Sequence, residues 1–144
     1  MELVLLVHLA TTFVMVGIIW FVQIVHYPLF ARVGAGGFPA YSGAHSRLTS
    51  LVVGPPMLAE AATAAALVLG PPQGVPLWLA VTGLALLAVV WLSTAVLQSP
   101  RHRELGGGFD SASHRYLVAS NWLRTVCWSA RGLVVLGMAA RAAG

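Results

Sequence analysis

Apolar residues run along this chain in four blocks of about twenty, over residues 3–25, 48–69, 75–98 and 113–140, and polar residues gather between them. A hydrocarbon core about 30 Å thick takes roughly 20 helical residues to cross. Unpaired backbone groups are not tolerated in lipid, and no segment of alternating barrel type occurs, so the blocks predict helices. The expected fold is all-α: one polytopic domain, a bundle of four transmembrane helices.

The edges of the blocks carry stop signals. His26-Tyr27-Pro28 closes the first, because proline disfavours helix in the residue before it. The second begins around Leu48, or at Pro39 with an interfacial turn, and ends at Gly70-Pro71-Pro72. Ser99-Pro100 closes the third, and Asp110 or Ser111 caps the fourth. Within the second block, Gly54-Pro55-Pro56 predicts a kink. The first block has Glu2 and no basic residue ahead of it and is long for a signal sequence, so it reads as a span.

Composition agrees with lipid as the solvent. The 144 residues are 58% hydrophobic and 8% charged, whereas soluble chains carry about a quarter charged residues. Lysine is absent, and eight arginines stand against Glu2, Glu60, Glu104 and Asp110, giving a pI near 10.2. No solvated basic face results, because Arg124 and Arg131 lie inside an apolar block, and nucleic acid is excluded as a partner. Arg32, Arg47, Arg101, Arg103 and Arg115 fall in or beside the stretches 28–46 and 99–115. Positive-inside bias puts those two long loops in the cytoplasm and both termini outside. The single cysteine, Cys127, excludes an intrachain disulfide and reads as a packing residue.

Ionisable groups inside spans are costly and therefore informative. Glu60 sits roughly 18 Å along its helix from Leu48, close to mid-bilayer. Arg124 and Arg131 bracket that depth, so a Glu60 pair with either or both is expected. It is either a clasp between helices or part of a site, with Glu60 as proton relay and an arginine holding an anionic group such as a carboxylate. On the fourth helix His114, Asn121, Arg124, Trp128 and Arg131 share an arc of about 100°, while Leu117, Val126 and Leu133 form a lipid face. On the first helix His8 and His26 align with Thr12, Met15 and Ile19, with Gln23 about 60° away. His8 and His26 are about 27 Å apart and cannot share a metal ion.

At the cytoplasmic end His26, His45 and His114 close or open helices, with His102 in the loop and Tyr27 and Tyr41 nearby. Three histidines on one side of a bundle are candidate ligands for a transition metal or a haem iron. No P-loop, serine elbow or His-Glu-x-x-His motif accompanies them.

The stretches Trp20-Phe-Val-Gln-Ile-Val-His-Tyr-Pro-Leu-Phe30 and Ser120-Asn-Trp-Leu-Arg-Thr-Val-Cys-Trp128, with Phe38, Tyr41, His45, Arg47, Pro56, Glu60, Arg131 and Gly132, resemble a group of small, uncharacterised bacterial four-helix membrane proteins. The resemblance spans most of the chain, implies a cell inner membrane, and brings no activity with it. A looser likeness, in size, in the histidine of the first helix and at Pro28-Leu29-Phe30-Ala31-Arg32, is to the membrane-bound protoporphyrinogen oxidases. The residue order there differs, so no catalytic residue carries over, and the likeness implies only a porphyrin or redox ligand.

The functional expectation is a site near the cytoplasmic mouth. Glu60, His45 and Arg124 take the catalytic roles. Gln23, Tyr27, Tyr41, Asn121, Trp128 and Arg131 bind substrate, and His26, His45 and His114 hold any metal. The activity expected is that of a membrane oxidoreductase or a haem- or metal-binding protein. The rival is a non-catalytic transport or assembly subunit, a homo-oligomer or part of a larger membrane complex, with a structural Glu-Arg clasp and small residues Ala61 to Ala66 at helix contacts.

Overall fold

The computed structural model describes residues 2–144. Four helices long and apolar enough to cross a membrane span Glu2–Arg32, Phe38–Leu69, Leu77–Gly106 and Ser111–Ala142, and no strand occurs among the described residues. At 1.5 Å per residue each is about 45–48 Å long, so each overshoots the hydrocarbon by several turns. The long loops expected over 28–46 and 99–115 are therefore corrected to the short connections 33–37 and 107–110.

The error lay at two prolines. A proline has no N–H and its ring collides with the carbonyl four residues earlier, yet the first and third helices run through Pro28 and Pro100. Each is preceded by a π-helical turn, Val22–His26 and Thr94–Gln98. There Tyr27 N–H bonds Val22 O and Ser99 N–H bonds Thr94 O, five residues back rather than four. The widened turn displaces the carbonyl that the ring would strike, and the helix continues. In the second helix Pro55 and Pro56 lie inside the helix and withdraw two donors from its ladder, and the helix is unbroken there too.

The two halves share a plan: a helix with a π turn and a proline, a turn ending in Gly-Gly-Phe, then a helix of 32 residues. The equivalent phenylalanines, Phe38 and Phe109, pack edge to face at 5.1 Å. Asp110 caps the fourth helix as expected, its carboxylate accepting the Ser113 N–H at 2.6 Å. Gly70-Pro71-Pro72 closes the second helix as expected, and a tight turn follows with Val75 N–H donating to Pro72 O at 3.0 Å. Gly74 adopts φ +79° there, with its α-carbon so close to the fourth helix that a Cβ would stand 2.6 Å from the Arg141 carbonyl oxygen.

The helices form a ring in chain order, the fourth closing on the first. Their core has three layers. Leu5, Leu67, Leu79 and Met138 fill the end that holds the termini, and Met15, Met57, Val90 and Trp128 fill the middle. Tyr27, Phe30, Phe38, Leu105 and Leu117 fill the basic end. Leu117 is thus a correction, fully buried rather than turned to lipid, whereas Val126 and Leu133 are 61% and 73% exposed as expected. The buried stripe of the first helix is His8, Thr12, Met15, Ile19 and Gln23.

Candidate functional site

Two polar centres lie inside the ring, at different depths. The deeper one is the ion pair between the second and fourth helices. Arg131 Nη2 and Nε both donate to Glu60 Oε1, at 2.9 and 3.2 Å, and Trp128 Nε1 donates to Oε2 at 3.1 Å. Arg131 Nη1 also donates to the Gly83 carbonyl on the third helix. Glu60 is fully buried and Arg131 is 1% exposed, so the charges are paired and hydrogen-bonded away from the surface. Of the two arginines expected as partners, the structure selects Arg131. Beside them His8 Nδ1 and Thr63 Oγ1 share a hydrogen bond of 2.8 Å, and Thr63 itself donates to Ala59 O. The arrangement is saturated: both oxygens of Glu60 are engaged, and no ligand needs to be supplied.

About two to three turns toward the basic end, Gln23 joins the first and fourth helices. Asn121 Nδ2 donates to Gln23 Oε1 at 2.8 Å, while Gln23 Nε2 donates to Val118 O at 3.2 Å. Both side chains are buried, and they were expected to bind substrate; here they bind each other.

The second centre is a cavity of about 320 Å³ at the basic end, between the second and third helices and floored by Arg124 of the fourth. Its polar lining comes from Tyr27, His45, Thr49, Gln98, His102, Arg103 and Arg124, together with serines at its mouth. Tyr27 Oη and His102 Nε2 share a hydrogen bond of 2.8 Å. His45 Nδ1 faces His26 Nε2 at 2.8 Å and Thr49 Oγ1 at 3.1 Å. The third helix reaches the cavity with Thr94, Gln98 and His102, spaced by four. That stripe is legible only if the helix is carried through Pro100, which is why Gln98 and Arg103 were missed and His102 was placed in a loop.

Arg124 differs from Arg131. Among the described residues no carboxylate pairs with it and its buried Nε has no hydrogen-bond partner, and its guanidinium lies 5.3 Å over the Trp128 ring, beside Tyr27. His102 Nδ1 is likewise buried and unpartnered. No acidic residue lines the cavity. Two guanidinium groups, hydroxyls and imidazoles around a space without a carboxylate make a receptor for an anion.

The three histidines expected to hold a metal do not converge. His26 and His45 are hydrogen-bonded to each other, and His114 Nε2 bonds the Tyr27 carbonyl at 2.8 Å. Among the described residues no group of three metal-ligating side chains occurs. Imidazoles spent on each other and on a backbone carbonyl do not fit an iron or a transition metal. Tyr41 stacks on His45, ring centroids 6.4 Å apart, at the edge of the cavity rather than in it. Compared with known proteins, the chain matches no family model, no curated protein and no solved structure.

Proposed function

We propose that this chain is an inner-membrane protein that binds a small anionic group, a carboxylate or a phosphate, in the pocket at its basic end, which faces the cytoplasm. Arg124 carries the reading: a guanidinium with no carboxylate beside it and a buried, unpartnered Nε. A cation drawn out of water without a counter-charge is costly, and a site that tolerates one is made for a charge brought from outside. Arg103 adds a second cation, and Tyr27, Thr49 and Gln98 add donors around the same space.

The Tyr27–His102 pair favours a second reading, in which the bound anion also reacts. A hydroxyl and an imidazole 2.8 Å apart can pass a proton, with His102 as acid or base and Arg124 orienting the substrate. The Glu60–Arg131 pair serves either reading as a clasp.

Titration of the purified protein with inorganic phosphate and with acetate, followed by tryptophan fluorescence, tests the proposal, since Trp128 lies under Arg124. Saturable binding to the wild type with at least a tenfold loss in Arg124→Gln is expected. Equal responses from the two proteins would refute it.

A further inference from the structure

The exposed part of the pocket's lining lies on one flank of the bundle. At the basic end Phe30, Phe38 and Leu105, each fully buried, belong to one apolar cluster, with the Phe30 ring 5.0 Å from that of His45. Between the second and third helices, by contrast, Ser46, Ser50, Ser99 and Arg103 are exposed while lining the same pocket that holds buried Tyr27, His45 and Gln98. The mouth is therefore a lateral seam. It runs from His45 to Val53 on one helix and from Thr94 to Arg103 on the other, about 12–14 Å along the bundle axis.

The seam has a cause in the fold. The second and third helices are joined by the tight turn at the far end, where Gly74 is wedged against Arg141. They are held together in mid-membrane by the buried Met57 and Val90. They meet again at the basic end, where the His45 and His102 rings lie 5.3 Å apart, and between the two contacts the exposed side chains are hydroxyls and an arginine instead of the leucines and valines found elsewhere on the lipid face. Below the mouth the surface is apolar again, with Leu58 63% and Trp91 40% exposed. The order from basic end to mid-membrane is cation, hydroxyl, hydrocarbon, which is the order of charge, linker and tail in an amphiphile.

Building on the anion-binding reading above, we infer that the ligand is the headgroup of an anionic amphiphile resident in the leaflet. It reaches Arg124 sideways through the seam while its tail stays on the lipid face beside Leu58 and Trp91. A free anion from solution would have to leave water for the bilayer flank, where the exposed lining residues Ser46, Ser50 and Ser99 lie. An amphiphile is already at that flank, and its tail supplies residence that a free anion lacks.

The test uses the full chain in phosphatidylcholine nanodiscs and three probes: dodecyl phosphate, ethyl phosphate and dodecanol, with native mass spectrometry counting bound molecules. The wild type is expected to retain one dodecyl phosphate per chain, to bind ethyl phosphate at least about a hundredfold more weakly, and to ignore dodecanol. Ser99→Phe and Ser50→Trp, which fill the mouth from opposite helices, should each lower dodecyl phosphate retention at least tenfold. Two outcomes overturn the inference while leaving the anion site standing: ethyl phosphate held as tightly as dodecyl phosphate, or dodecyl phosphate held unchanged by both mouth-filling variants. If wild type and Arg124→Gln retain dodecyl phosphate equally, the anion site itself is wrong and the inference falls with it.

Discussion

Arg131 spans the diagonal of the helix ring to place two of its nitrogens on one oxygen of Glu60, at 2.9 and 3.2 Å, while Trp128 holds the other oxygen. The pair ties the second helix to the fourth, which are not adjacent in the ring, and through the Gly83 carbonyl it ties in the third as well.

Because each charge is buried, loss of one leaves the other uncompensated. Glu60→Ala or Arg131→Ala should destabilise the fold by about 3–5 kcal/mol. The apolar double replacement Glu60→Leu with Arg131→Met should recover much of that. Thermal unfolding in detergent measures the difference; a double variant no more stable than the singles would show that the pair contributes more than mutual compensation.

Arg124 should behave in the opposite way. It has no carboxylate to strand, so Arg124→Gln is expected to leave the midpoint of thermal unfolding unchanged or raised while abolishing anion binding. A large drop in the midpoint would mean that Arg124 is structural.

Trp128→Phe keeps the ring in the middle layer and removes only the Nε1 donor to Glu60 Oε2. Leaving a buried carboxylate oxygen short of one hydrogen bond should cost about 1–3 kcal/mol. Trp20→Phe, which loses only an exposed hydrogen bond to Ser129, serves as the control with little effect.

At the far end, Gly74→Ala meets two obstacles: a left-handed backbone, and an oxygen 2.6 Å from the new Cβ. The substitution should lower the unfolding temperature, whereas Gly17→Ala, where nothing lies within 4 Å of the added atom, should preserve or raise it.

The cap at Asp110 gives a pH dependence. The Ser113 backbone N–H holds its carboxyl below the usual aspartate range. A depressed carboxylate stabilises the fold fully above its unfolded pKa, near 3.8, and loses that contribution as pH falls through the lower folded value. Stability of Asp110→Ala relative to wild type, measured between pH 5 and pH 2 (about that range by linkage), should therefore show the deficit shrinking as acid is added.

The four spans, the turn at Gly70-Pro71-Pro72, the Asp110 cap and the inward face of the fourth helix were legible because each rests on a local rule: apolar length, proline-glycine chemistry, a capping side chain, a period of 3.6. What was hidden depends on long-range choice. Burial cost required Glu60 to have a partner, but only packing decided for Arg131 over Arg124. Gln23 and Asn121 were rightly placed inside, and there Asn121 Nδ2 donates to Gln23 Oε1 while the Gln23 amide is taken by the Val118 carbonyl. The pocket's third-helix wall was lost for one reason, the assumption that Pro100 ends a helix, and the same assumption at Pro28 drew a loop where Tyr27 hangs on helical backbone. His114, read as a ligand from its place near a helix start, is bonded to the Tyr27 carbonyl instead.

The two π turns also set an aim. One residue added to a helical turn rotates everything beyond it by about 100°, so Val22–His26 and Thr94–Gln98 act as angular offsets built into otherwise straight rods. Tyr27 and His102 both lie beyond such an offset, and both point into the same space. Removing a single residue from either turn would leave a helix long enough to cross the bilayer and yet swing that side chain out of register. The chemistry of the pocket is thus hung on two inserted residues, which a comparison of helix lengths alone would pass over.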